Sequence, residues 1–168
     1  MRYNRIKTCD TQNTDGLCVS LWLQGCPHRC EGCWNKETWS YDDGILFGER
    51  EVEYILDELS YKQDLAILGG EPLIERNLSE LTKLCIAVKN VRPDTKIWLW
   101  TGYIYEDIKD LELLKYIDIL IDGKFEQDKK VDFRTTKNND DKYRGSSNQR
   151  IINLNNERRE LYNGSNKA

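Results

Sequence analysis

Basic residues are not in excess: 25 Lys and Arg stand against 29 Asp and Glu, giving a net charge of −4 and a pI near 5.2. No broad basic surface is therefore available to neutralise a phosphate backbone, which excludes nucleic acid as the main partner. Long apolar runs are missing as well. None approaches the ~18 residues needed to span a bilayer, and the opening MRYNRIKTCD lacks the apolar segment of a secretory signal. A soluble, cytoplasmic protein with no membrane partner is expected. Histidine occurs once, at position 28, so the sequence offers no Ser/His/Asp triad. Repeats, low-complexity tracts and Pro/Gly-rich linkers are also missing. With 168 residues, the chain suits one domain over 1–168 and is too short for two ordinary ones.

What is present alternates between short apolar runs and amphipathic stretches, the pattern of βαβ units. Leu17–Leu23 reads as a first strand ending at Gln24-Gly25. Residues 51–59 place Val52, Ile55, Leu56 and Leu59 on one helical stripe. Leu65–Leu68 forms a strand stopped by Gly69-Gly70. Asn77 is expected to cap the next helix with Glu80 three residues on, and Leu78, Leu81, Cys85 and Val88 line its inner face. Lys96–Trp100 is a third strand ending at Thr101-Gly102, Tyr105–Lys115 a third helix, and Ile117–Ile121 a fourth strand ending at Asp122-Gly123. Arg150–Leu154 can add a fifth. The continuously apolar strands favour an α/β fold with a mainly parallel sheet covered on both faces. All four better-defined strands end in glycine-marked turns. In parallel sheets and barrels ligands bind at the carboxyl ends of strands, and glycine there admits backbone close to a ligand.

Six cysteines occur, at 9, 18, 26, 30, 33 and 85. A reducing compartment argues against disulfides, and three of the six fall in Cys26-Pro-His-Arg-Cys30-Glu-Gly-Cys33, directly after the first strand. A [4Fe–4S] cluster usually takes four thiolates; three closely spaced cysteines leave one iron open to a substrate. Two alternatives remain: a zinc site of three cysteines plus His28, and unligated thiols. Zinc motifs commonly carry a second, distant ligand pair, which the sequence lacks. His28 reads as an ordinary exposed loop residue, and Cys9, Cys18 and Cys85 as small core hydrophobes.

The spacing Cys26-x3-Cys30-x2-Cys33 resembles the signature of the radical S-adenosylmethionine superfamily, and Gly69-Gly70-Glu71-Pro72 resembles its GGE motif. Residues 32–39 (GCWNKETW), 97–103 (IWLWTGY), 122–125 (DGKF) and 144–152 (RGSSNQRII) are similar, in collinear order, to the activating proteins of anaerobic ribonucleoside-triphosphate reductases. The chain departs from them at Asn13-Thr-Asp-Gly16, where Asn-Gly-Pro-Gly is more usual, and at Cys18, where arginine is common. Gly32, in place of the aromatic that many superfamily members have before the third cysteine, matches this subgroup.

The resemblance implies an incomplete, TIM-like β/α barrel forming a single radical S-adenosylmethionine domain. It implies one [4Fe–4S] cluster on Cys26, Cys30 and Cys33, with S-adenosyl-L-methionine chelating the open iron. The methionine amine would meet backbone at Gly69, Gly70 and Glu71, and the adenosine would lie along Gly32, Cys33 and Trp34. Asp122 and Lys124 are weaker candidates, since charged strand tips are commonly solvated. One electron from an external donor such as flavodoxin or ferredoxin would break a carbon–sulfur bond. The resulting 5′-deoxyadenosyl radical would make a glycyl radical on the partner, an anaerobic (class III) ribonucleoside-triphosphate reductase. The catalytic work falls to the cofactors, with no side chain expected to act as acid, base or nucleophile. Length points the same way independently: four or five strands, against the eight of a closed barrel, leave the site open on one side, and a protein substrate can supply the missing wall. The polar stretch Gln127–Gln149 is either a docking surface or a solvated loop, and the tail after Asn155 is expected to fray. An activase for another glycyl-radical enzyme, and a non-catalytic metal-binding or electron-transfer module, are the competing functions.

Overall fold

The computed structural model of the chain describes residues 1–59, 62–132, 134 and 139–156. One seven-stranded sheet runs through it, formed by β1 (Arg2–Asp10), β2 (Cys18–Leu23), β3 (Ile45–Leu46), β4 (Asp64–Gly69), β5 (Ile97–Trp100), β6 (Ile119–Asp122) and β7 (Arg150–Asn153), in the order β3-β1-β2-β4-β5-β6-β7. The four central strands β2, β4, β5 and β6 pair in parallel, with Leu21 opposite Ile67 and Ile67 opposite Leu99. Antiparallel strands flank them: β1 and β3 on one side, β7 on the other. The sheet is open, with β3 and β7 at its edges. The architecture is mixed α/β, as expected.

Helices α1 (Glu49–Glu58) and α2 (Glu75–Val91) and the single turn α3 (Tyr105–Ile108) contribute to one core. Ile55, Leu81, Leu84, Cys85, Val88 and Ile108 pack there with Val19, Leu21, Ile67, Leu99 and Leu120 of the sheet. Truncating one such buried leucine to alanine costs about 2–5 kcal/mol. Both faces are covered, as expected, but only one of them by helices. The opposite face carries Cys18, Trp22, Ala66, Leu68 and Trp100 and, among the described residues, is closed by loop side chains instead. Tyr143 packs 5.0 Å from Trp98, and its carbonyl accepts the Trp100 indole N–H at 2.8 Å.

Several expected boundaries move. β1 was not expected at all. Tyr3 pairs with Leu23, but Arg5 pairs with Trp22 and Ile6 with Leu21, so the register slips by one between Tyr3 and Arg5. This bulge turns both Tyr3 and Ile6 to the helical core and sets Arg5 over the Trp22 ring at 4.4 Å. Strict alternation is lost, and with it the strand's signal. A second irregularity between Lys7 and Asp10 gives Cys9 a φ of +54° and leaves it exposed. Cys9 is thus a bulge residue and not a core hydrophobe, whereas Cys18 and Cys85 are buried. Asn77 caps nothing: α2 begins two residues earlier, with Ile74 at the N-cap. Asn77 lies buried and donates its amide N–H to the Glu71 carbonyl at 3.4 Å. The third helix shortens to α3 followed by a separate 3-10 turn, Glu112–Lys115, because i→i−3 bonds from Leu111 to Ile108 and Leu114 to Leu111 tighten the chain. The expected tail beyond Asn155 lies, from residue 157 on, outside the described residues, as do 133 and 135–138 of the polar stretch.

Candidate functional site

The carboxyl ends of the four parallel strands meet at one cleft of about 340 Å³, in the range of small-ligand sites. Its lining includes Cys26, Cys30 and Cys33 from the loop after β2, Gly69, Gly70 and Glu71 after β4, and Thr101, Gly102 and Gly123 after β5 and β6. Trp34 also lines it, with 66% of its surface exposed. Seven of the eight residues proposed from the sequence thus border one space; the eighth, Gly32, packs against Gln127 instead.

The glycines at the β4 tip have a reason of their own. A Cβ on Gly69, whose φ is +104°, would come within 2.8 Å of the Leu23 backbone, and one on Gly70 within 2.4 Å of the Gly25 carbonyl oxygen. The two strand ends cross backbone on backbone, with the Glu71 N–H donating to the Gly25 carbonyl at 2.8 Å. Only glycine permits that approach.

The cysteine loop is folded onto the residues that follow it. Buried Gln24 donates its amide to the carbonyls of Glu37 and Ser40, at 3.0 and 2.9 Å. The N–H groups of Gly25 and Cys26 reach the carbonyls of Thr38 and Trp39. Between the cysteines the chain turns at Arg29 (φ +46°) and Gly32 (φ +72°). Burial pushes the Cys26 thiol up from its ordinary value, opposed by the backbone N–H groups of His28 and Arg29 beside its sulfur. Burial raises Cys30 too, against the N–H of Phe125 and the charge of Lys124. The Asn35 N–H donates to Cys33 Sγ at 3.4 Å. Sulfurs that are half-buried and met by N–H donors suit thiolates bound to a cationic centre, which offsets the burial cost and takes the place of the protons.

Three thiols on one loop, with N–H donors at their sulfurs, fit the cysteine set of an iron–sulfur cluster.

A cap covers the far side of the loop. Gln127 occupies the space a side chain on Gly32 would need, and Lys130 stands 4.4 Å over the Trp34 ring. Residues 144–149 clamp this cap from behind. The Gln149 amide donates to the Gly123 carbonyl at 2.9 Å, and its oxygen accepts the N–H groups of Gly145 and Ser146. Asn148 donates to the Lys124 carbonyl, Ser146 Oγ accepts the Glu126 N–H, and the Val131 N–H reaches the Gly145 carbonyl. The two ends of the stretch from Gln127 to Gln149 are thus bonded to each other and to residues 123–126.

Two expectations are corrected here. His28 is not an ordinary exposed residue: its side chain is 7% exposed, and its Nε2 donates to Glu71 Oε2 at 2.8 Å. Asp122 is not solvated: it is buried, accepts the Tyr105 N–H at 2.7 Å, and pairs with Arg150, which also grips Glu106 with two bonds of 2.9 and 2.7 Å. Lys124 is exposed, as expected of a strand-tip charge. Sequence reasoning gave no individual site role to Thr101, Phe125, Gln127 or Gln149; a signal was present for Phe125 and Gln149 in the DGKF and RGSSNQRII blocks, which turn out to hold each other.

A sheet that gathers three thiols at its parallel strand tips defines an iron–sulfur protein class, and the comparisons agree. The family model of the 4Fe-4S single cluster domain matches residues 12–152. An anaerobic ribonucleoside-triphosphate reductase-activating protein of Enterobacteria phage T4 is 44% identical over 156 residues, covering 90% of this chain and 93% of that protein. Proteins of the same name are 41% identical in Pasteurella multocida, over 77% of this chain and 87% of theirs, and 32% identical in Escherichia coli K12, over 92% and 99%. The chain belongs to this family of reductase-activating proteins, built on a 4Fe-4S single cluster domain. No described helix is long and apolar enough to cross a membrane.

Proposed function

We propose that the protein is a radical S-adenosylmethionine oxidoreductase that activates an anaerobic (class III) ribonucleoside-triphosphate reductase by generating a glycyl radical on it. The supporting observation is the single cleft where Cys26, Cys30 and Cys33 face the glycine tips of β4 and β5. The three thiolates would hold one [4Fe–4S] cluster, with S-adenosyl-L-methionine beside Gly69, Gly70 and Glu71 and along Cys33 and Trp34, while Gly32, expected beside it, faces Gln127. Bound together, these cofactors supply reductive cleavage of a carbon–sulfur bond, fed by an external donor such as flavodoxin or ferredoxin, and a 5′-deoxyadenosyl radical that takes a hydrogen atom from the target glycine.

The chain's own work is to bind, orient and exclude water. The open sheet, taken as an incomplete TIM-like barrel, closes the cleft on the side of the strand tips and the clamped cap. Its mouth stays open to a large partner, whose own surface completes the enclosure that radical chemistry requires. The parallel centre and the glycine crossings support this reading, because they hold the strand-tip side of the cleft on fixed elements.

Anaerobic reconstitution with iron and sulfide, reduction and addition of S-adenosylmethionine should yield 5′-deoxyadenosine. Addition of the reductase should then give a glycyl radical signal by electron paramagnetic resonance. A four-iron protein that makes neither product would leave the non-catalytic electron-transfer reading in its place.

A further inference from the structure

We propose that His28 is a positioning residue that latches the cysteine loop to the strand tips through Glu71, fixing the Cys26–Cys30 arc before any cofactor arrives. The inference rests on the reading of that loop as the cluster site and adds a role for two side chains within it. His28 lies two residues from each of Cys26 and Cys30. Its Nε2–H donates at 2.8 Å to Glu71 Oε2, and the two side chains are only 7% and 1% exposed.

The Glu71 carboxylate is fully engaged inside the protein. Oε1 accepts the Leu73 N–H at 3.0 Å and the Thr101 hydroxyl at 2.7 Å; Oε2 accepts the Gly102 N–H at 2.8 Å and His28. Four donors use about as many lone-pair sites as a carboxylate has. Nothing is left for a ligand's ammonium group, so Glu71 serves as the strike plate of the latch. Glycine at 102 is explained by the same contact. A Cβ there would lie 2.4 Å from His28 Cδ2 and 2.5 Å from Nε2. Tyr103 closes the far side, edge-on at 4.8 Å from the imidazole. One carboxylate thus ties the middle of the thiol loop to the ends of β4 and β5.

Three variants test this. His28→Phe keeps the ring against Tyr103 and removes the donor; Gly102→Ala pushes the imidazole away; His28→Gln keeps an N–H donor of similar reach. In the cluster-free, folded protein, alkylation of Cys26 and Cys30 mapped by mass spectrometry should quicken about tenfold in the first two variants, the loss of one charge-assisted bond. It should stay near wild type in His28→Gln, with Cys9 labelling unchanged throughout as the internal standard. After reconstitution, the first two variants should hold less iron per chain and show an altered electron paramagnetic resonance spectrum of the reduced cluster. Wild-type labelling and an unaltered spectrum in His28→Phe would overturn the latch, as would His28→Gln behaving like His28→Phe. If the wild-type chain took up no four-iron cluster, the cluster reading would fall, yet the alkylation comparison would still decide the latch.

Discussion

Replacing Gln149 by Leu keeps the side-chain volume at the heart of the clamp while removing its hydrogen bonds. The amide now joins the Gly123 carbonyl to the N–H groups of Gly145 and Ser146, at 2.9, 2.8 and 3.2 Å. Leucine would leave three backbone groups to find new partners in a buried spot. At about 1 kcal/mol for each, the local cost is about 3 kcal/mol, or roughly a hundredfold in an opening equilibrium. The ladders among β2, β4, β5 and β6 are untouched, so the loss should stay local. Hydrogen exchange followed by mass spectrometry should therefore show amides in 123–131 exchanging about a hundred times faster, while peptides from β4 and α2 keep their protection. Thermal melting should fall by at most about 6–12 °C, at about 2–4 °C per kcal/mol for a domain of this size. Unchanged exchange across 123–131 would refute the idea that Gln149 fastens the cap.

Two further outcomes follow from the charges and thiols. Arg150 holds the Glu106 carboxyl down at about 2, below its ordinary 4.5, so the pairing contributes fully above that ordinary value and is lost as pH falls toward 2. Melting curves of wild type and Glu106→Gln should differ at pH 6 and converge as the pH approaches 2, with added salt narrowing the gap because the group is exposed; a gap independent of pH would contradict the assignment. Cys85 is buried, its thiol pushed up to about 12 by desolvation, and Cys9 is exposed. Iodoacetamide at pH 8 should therefore label Cys9 in the folded chain and leave Cys85 unmodified until denaturant is added; early labelling of Cys85 would mean that α2 opens locally.

The parts of the fold legible in the sequence are those whose side chains answer to one force at a time. β2, β4 and β5 are buried on both faces, so their apolar runs stand out, and the glycines after β4 and β5 line the cleft. α1 and α2 show their stripes because one face of each meets the core. β1 was hidden by its bulge, which puts Tyr3 and Ile6 on the same face although they stand three apart, and by the charged residues Arg2, Arg5 and Lys7 along an exposed flank. β3 has two residues, Ile45 and Leu46, both exposed, and carries no pattern to find. The three cysteines stood out by their spacing and Gly69-Gly70 as a strand-end turn, while Glu71 entered through the resemblance to the GGE motif. What escaped were partnerships over long sequence separations. Nothing local links His28 to Glu71, 43 residues on, or Asp122 to Arg150, 28 residues on, and a charged group without a visible partner reads as solvated. Asn77 misled because its match to a capping pattern was local, whereas its bond is to the Glu71 carbonyl.

The fastening of the cap by Arg144–Gln149 sets an order of events in the making of the protein. The thiol loop leaves the ribosome over a hundred residues ahead of the segment that locks its cover. Throughout that interval Gly32 and Cys30 face the surroundings without Gln127 and Phe125 upon them. The cover of the thiol loop is thus fastened only once residues 144–149 are in place.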